Sequence, residues 1–177
     1  MRQIVLLRGI NLGARNRVSM PELREALERD GFDDVQTYLQ SGNVVLASDA
    51  SPEEVADRCR RRIARAFKLQ IGVVTRTRDE LAAVVERNPL GDVATEQKRY
   101  QVSFCSAEPD PELVQQLAAL AAPSERFVAI GRELYAWHPD GVARSKLWNR
   151  LAGKGLGVTA TARNWTTVTT LLGLADE

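Results

Sequence analysis

Val35-Gln36-Thr37-Tyr38-Leu39-Gln40-Ser41-Gly42-Asn43-Val44-Val45-Leu46-Ala47 is the stretch that decides the fold. Two runs rich in β-branched and apolar residues, 35–40 and 44–47, flank Ser41-Gly42-Asn43. Small residues that tolerate a left-handed backbone join neighbouring strands in a tight hairpin. The hairpin predicts two consecutive antiparallel strands, and its flanks say what surrounds them. Upstream, residues 2–8, with the apolar run Ile4-Val5-Leu6-Leu7 at their centre, read as a buried strand. Ser19-Met20-Pro21-Glu22 then starts a helix, with Ser19 as N-cap, Pro21 in the first turn and Glu22 closing a capping box. Leu23, Ala26 and Leu27 supply its buried stripe, and Gly31 stops it. Downstream, Ser51-Pro52-Glu53-Glu54 repeats the helix start. Val55, Cys59, Ile63 and Phe67 recur every four residues along one face. Residues 70–76 give a fourth strand.

Strand, helix, strand, strand, helix, strand is the split βαβ order of a ferredoxin-like unit, four antiparallel strands with two helices on one face. The second half repeats it. A linking helix over residues 77–87 opens with a Thr77…Glu80 capping box and stops at Asn88-Pro89. Strands are expected at 100–105, 127–130, 133–137 and 158–162. Helices are expected from Pro109-Asp110-Pro111-Glu112 to Ala121, over 145–151, and from Asn164 to Leu172. The two halves align at an offset of 85, which matches Gly72-Val73 with Gly157-Val158 and Arg78 with Arg163. The expected fold is α+β, a tandem duplication of two ferredoxin-like halves, residues 1–80 and residues 81–177. The second of these carries the linking helix and the C-terminal helix.

Composition narrows the function. The 177 residues carry 24 Lys and Arg against 23 Asp and Glu, a net charge of +1, and 44% are apolar. A broad polyanion binder needs a large cationic excess, because each phosphate it neutralises needs a cation. A disordered chain combines high charge with few apolar residues. Neither description fits. The N-terminal apolar run is too short for a signal peptide, and no stretch approaches the ~20 apolar residues of a membrane helix. The expectation is a cytoplasmic protein with no membrane partner. Cys59 and Cys105, with His138 as the only histidine, do not make up a metal site, and both thiols read as small core residues.

Polar chemistry gathers in four segments. Arg8-Gly9-Ile10-Asn11-Leu12-Gly13 joins a strand to a helix, where glycines let backbone amides approach an anion and Arg8 adds charge. It lacks the Gly-Lys-Ser/Thr of a P-loop and the glycine spacing of a dinucleotide fingerprint, so no cofactor is implied. Its bland reading is a turn that needs positive φ. Ser41-Gly42-Asn43 is hairpin chemistry. Ser145-Lys146 reads as a helix N-cap beside a lysine, and Arg163-Asn164-Trp165 as a helix start with Asn164 as cap. His138, in Trp137-His138-Pro139-Asp140-Gly141, reads as a solvated turn residue. Arg58, Arg60, Arg61, Arg62 and Arg65 form a basic helix face, either solvated or phosphate-facing. With the first and third strands taken as parallel, the Arg8 loop and Ser145-Lys146 fall on one type of sheet edge. Ser41–Asn43 and Arg163-Asn164 then fall on the other.

Leu6-Leu7-Arg8-Gly9-Ile10-Asn11-Leu12-Gly13, Tyr38-Leu39-Gln40-Ser41-Gly42-Asn43-Val44-Val45, Ser145-Lys146-Leu147 and Thr161-Ala162-Arg163-Asn164-Trp165 resemble, in this order, the bacterial domain-of-unknown-function 1697 family. The resemblance implies an α+β protein with ferredoxin-like halves and no established activity. Three readings follow from the residues. The favoured one is a binding module for a small anionic ligand, a nucleotide or phosphorylated metabolite, held by Arg8, Gly9, Asn11, Gly13, Ser41, Gly42, Asn43, Ser145, Lys146, Arg163 and Asn164. RNA is a weaker partner for it, since the RNP consensus is absent. The alternatives are an enzyme on a phosphorylated or carboxylated metabolite, for which no general base joins these motifs, and an assembly protein pairing through sheet edges.

Overall fold

The computed structural model describes all 177 residues. The chain runs β1 (Arg2–Leu7), α1 (Met20–Arg29), β2 (Asp33–Tyr38), β3 (Asn43–Ala47), α2 (Pro52–Phe67), β4 (Val73–Thr77) and α3 (Arg78–Arg87). One turn of 3₁₀ helix at Gln97–Arg99 follows. The order then repeats as β5 (Tyr100–Cys105), α4 (Pro111–Leu120), β6 (Arg126–Ile130), β7 (Glu133–Trp137), α5 (Lys146–Ala152), β8 (Ala160–Asn164) and α6 (Trp165–Ala175). Two four-stranded sheets result, ordered β2-β3-β1-β4 and β6-β7-β5-β8, with every neighbouring pair antiparallel. These are two ferredoxin-like halves in tandem. Two compact units are present: Met1–Ala83 together with Leu171–Glu177, and Val84–Thr170.

Local signals set the helix ends. Ser51 Oγ accepts from the Glu54 amide at 3.2 Å while the Glu54 carboxylate accepts from the Ser51 amide at 2.9 Å. Thr77 and Glu80 make the same reciprocal pair at 3.1 and 2.8 Å. Ser19 caps α1 more weakly, at 3.5 Å, with Pro21 in the first turn. In the first unit the helix-facing side of the sheet, Val5, Leu7, Val44, Leu46 and Val73, packs with Leu23 and Leu27 of α1 and Val55, Cys59 and Ile63 of α2. In the second unit Cys105, Leu134, Ala136 and Ala160 pack with Leu117, Leu147 and Leu151. The opposite sheet faces are buried too, at Ile4, Leu6, Val45 and Val74, and at Val102, Phe104 and Tyr135. Such strands show no apolar-polar alternation, which is why Ile4-Val5-Leu6-Leu7 reads as a continuous apolar run.

Two expectations are corrected by pairing. β1 and β3 run antiparallel, with Ile4 opposite Val45 and Leu6 opposite Asn43. The loop after β1 therefore lies at the same sheet end as the β2–β3 hairpin, not at the opposite edge. The register also resets the internal repeat. Ile4 faces Arg76 across β1–β4, and Val102 faces Arg163 across β5–β8. Arg76, not Arg78, is the counterpart of Arg163. Both are buried, and each guanidinium donates to the carbonyl of the preceding residue, Thr75 at 2.9 Å and Ala162 at 2.8 Å.

Candidate functional site

Antiparallel pairing brings two of the four polar segments together in the first unit. The Leu7 amide donates to the Gly42 carbonyl and the Arg8 amide to the Gly72 carbonyl, both at 2.9 Å, so the β1 loop, the hairpin and the start of β4 share one sheet end. Asn11 ties the loops. Its Nδ2 donates to the carbonyls of Val18 at 2.9 Å and Gln40 at 2.7 Å, and its Oδ1 accepts from the Val18 amide at 2.8 Å. The Asn11 amide closes on the Asn16 carbonyl at 2.9 Å. Asn43 is fully buried, and its Nδ2 donates to the Tyr38 carbonyl and to Ser41 Oγ. Gly9, Asn11, Gly13 and Gly42 all take positive φ. At Gly42 (φ +87°) space is equally restrictive, since a Cβ there would lie 2.6 Å from Leu7 Cβ. The Asn11 and Asn43 side chains are thus occupied in holding two loops in one shape. Arg8 is half-buried at the loop's start, while Leu12 beyond it is 67% exposed.

In the second unit Ser145-Lys146 comes after β7 and Arg163-Asn164 are the last two residues of β8, and the C-terminal ends of β7 and β8 lie at one sheet end. Arg163 is a strand residue rather than a helix start. It is buried, its Nη1 donates to Thr161 Oγ1 at 2.7 Å, and loss of water around the guanidinium pulls its pKa down to about 10. Asn164 caps α6, its Oδ1 accepting from the Thr167 amide at 2.9 Å. Ser145 caps α5 through the Trp148 amide at 3.0 Å, and Lys146 beside it is exposed.

Sequence reading missed the partners of Ser145. His138, expected in solvent, is fully buried, and its Nδ1 is hydrogen-bonded to Glu125 Oε2. Ser145 Oγ donates to the same carboxylate oxygen at 2.7 Å, and the Ala122 amide donates to Oε1 at 3.0 Å. Burial alone would raise the Glu125 pKa. The Ala122 amide, His138 and Ser145 outweigh it and hold the carboxyl below its usual range. An ionised carboxylate only accepts, so the imidazole proton sits on Nδ1. Ser145 lies 3.5 Å from that same nitrogen, which has no lone pair left to take the serine proton. Nε2 is buried without a hydrogen-bond partner. The trio is a latch between β6, β7 and α5 and does not form a nucleophile–base pair.

A row of clustered arginines lies elsewhere in the first unit. Asp30, Arg58, Arg61, Arg62 and Arg65 line a cleft of about 350 Å³, four cations against one carboxylate. Two of the arginines are held in place. Arg58 Nε pairs with Asp30 Oδ2 at 3.2 Å, its Nη2 donates to the Asp30 carbonyl at 2.6 Å, and its guanidinium stacks 4.1 Å over the Phe32 ring. Arg62 Nε donates to the Ala26 carbonyl at 3.0 Å. These contacts place cations at the C-terminal end of α1, which favours positive charge. Arg61 shares Asp57 with Arg60, its own contact being 3.4 Å. Arg65 is exposed, and its side chain makes no ion pair or hydrogen bond. Sequence spacing had shown the basic face, but Asp30, 28 residues away, could not be placed beside it.

No cluster of three or more His, Cys, Asp or Glu is arranged to hold a metal ion, and no helix is long and apolar enough to cross a membrane. A solved structure described as conserved bacterial protein SP0830 from Streptococcus pneumoniae is similar over 98% of both chains, with a TM-score of 0.79 at 21% identity, and so shares the fold. No curated protein matches the sequence. The family model described as a protein of unknown function, DUF1697, matches residues 1–135, and the chain belongs to that family.

Proposed function

We propose that the protein is a binding module for a small anionic ligand, a nucleotide or phosphorylated metabolite, and that the arginine cleft of the first unit receives it. The observation that carries this reading is the set of four guanidinium groups around one cleft with a single carboxylate among them. Arginine suits the role because its planar fork meets phosphate oxygens through paired N–H donors. Arg58 and Arg62 are already ordered by bonds to main-chain carbonyls, so less side-chain entropy is lost when a ligand arrives. The sheet-end loops remain a candidate through Arg8, although Asn11 and Asn43 are engaged by the backbones of Val18, Gln40 and Tyr38. An enzymatic reading gains little from Ser145, because His138 Nδ1 is closed by Glu125.

Calorimetric titration of the whole chain with AMP and ATP decides between these sites. Binding is expected at about 20 mM salt and should weaken steeply toward 300 mM, as exposed charges are screened. Arg65→Gln should weaken it about tenfold, and Arg8→Gln should leave it unchanged. Loss of binding in Arg8→Gln alone would move the site to the sheet end. No binding by either nucleotide at low salt would overturn the reading.

A further inference from the structure

The spacing of the arginines along α2 narrows the ligand class, granted that the cleft binds anions as proposed above. Arg58, Arg61, Arg62 and Arg65 stand at i, i+3, i+4 and i+7, so they form one row on the flank of α2 that faces the end of α1. At 1.5 Å per residue the row extends about 10 Å along the helix axis. The two pinned members decide the matter. Arg58 is fixed to Asp30 and Arg62 to Ala26, on successive turns about 6 Å apart along the axis. Guanidinium groups anchored on separate turns offer their remaining donors at separate points along the row. They are placed to meet successive groups of a chain. Arg61 and Arg65 are the exposed members of the same row: Arg65 is unpaired, and Arg61 is held by its 3.4 Å contact with the Asp57 that also pairs with Arg60.

We infer that the cleft selects a linear polyphosphate, the di- or triphosphate chain of a nucleotide or a short inorganic polyphosphate, over a single phosphate. Asp30 is the one carboxylate in the lining, and Asp57, outside it, pairs with Arg61 at 3.4 Å. The Asp30 carboxylate is engaged by Arg58 Nε at 3.2 Å, so repulsion is compensated at that end of the row. The Arg62–Arg65 end has no carboxylate in the lining and holds the more highly charged end of the chain. Nothing in the lining is aromatic or shaped to a base, so recognition is of the phosphate chain, and inorganic chains should bind as well as nucleotides of equal length.

The test is calorimetry of the full chain with orthophosphate, pyrophosphate, tripolyphosphate and citrate at matched low ionic strength. Each added phosphoryl group that finds a guanidinium should tighten binding by about tenfold, as expected for a charge-assisted hydrogen bond. Tripolyphosphate should therefore bind at least about a hundredfold tighter than orthophosphate. Citrate, with comparable charge but no chain of phosphoryl groups, should fall well below tripolyphosphate. Arg65→Gln should lower tripolyphosphate affinity about tenfold, with the urea midpoint unchanged because Arg65 has no partner to lose. Equal affinity for orthophosphate and tripolyphosphate overturns chain selection while leaving anion binding in place. Citrate binding as tightly as tripolyphosphate reduces the site to bulk charge. Absence of binding by all four overturns both readings together.

Discussion

Gly42→Ala tests how tightly the sheet end of the first unit is built. Two costs add at this position. The backbone sits at φ +87°, where a side chain costs about 1–2 kcal/mol. The new Cβ would also lie 2.6 Å from Leu7 Cβ and 3.0 Å from both Leu7 Cγ and Ile10 Cδ1. Leu7 is a core residue of β1, and its own amide is bonded to the Gly42 carbonyl, so neither partner can withdraw without disturbing the strand. Overpacking of this kind costs about 1–3 kcal/mol. The sum is about 2–5 kcal/mol, a large part of the roughly 5–15 kcal/mol that holds a typical domain folded. Gly131 supplies the control. It occupies the equivalent β6–β7 hairpin at φ +56°, and nothing lies within 4 Å of its would-be Cβ. Gly131→Ala carries the backbone cost alone, about 1 kcal/mol. Urea unfolding followed by circular dichroism reads both. The reasoning is refuted if the two variants lose the same stability, or if Gly42→Ala is within about 0.5 kcal/mol of the parent, the usual range for a surface change.

Asn11→Ala removes three side-chain hydrogen bonds that tie the β1 loop to Val18 and Gln40. It should cost about 2 kcal/mol, and the shift in urea midpoint measures it. The Glu125 latch predicts acid lability. Its folded pKa lies below the unfolded value, so the latch contributes stability above the unfolded pKa and loses it as pH falls through the folded one. Urea midpoints from pH 7 down to pH 3 should fall less steeply for Glu125→Gln than for the parent; parallel curves would count against the latch. Cys59 is fully buried, and burial, with Asp30 adding to it, pushes its thiol up to about 12. It should resist a thiol-specific reagent at pH 8 in the native protein and react on unfolding. Rapid native labelling would show that α2 opens.

What was legible in the sequence is what neighbours in the chain decide. The Ser51–Glu54 and Thr77–Glu80 boxes are satisfied within one turn, and both form as read. Gly31 and Gly131 take the positive φ that their turns require. Errors enter where the answer depends on partners far along the chain. Whether Arg8 and Ser41 share a sheet end depends on the relative direction of β1 and β3, and no local motif records it. His138 sits in a run that reads as a turn, yet Glu125 and Ser145, 13 and 7 residues away, close over it. The repeat offset slipped because loop lengths differ between the halves, and only the ladders show that Arg76 answers Arg163.

The duplication itself argues about where a site belongs. Shared features are those the fold needs: strand order, antiparallel pairing and the buried arginines of β4 and β8. The differences are concentrated. The β1–α1 connection spans residues 8–19, while the β5–α4 connection spans only 106–110. α2 is 16 residues long and carries four cleft arginines; its counterpart α5 has 7 residues and no such row. Buried Asn43 of β3 is answered by Glu133 of β7, which lies 3.7 Å from Arg87. If the scaffold alone required basic residues on the second helix, both copies would show them. The extended loop and the arginine row occur in one half only, so the frame that both halves share does not require them, and that difference supports the first unit as the place of the proposed site.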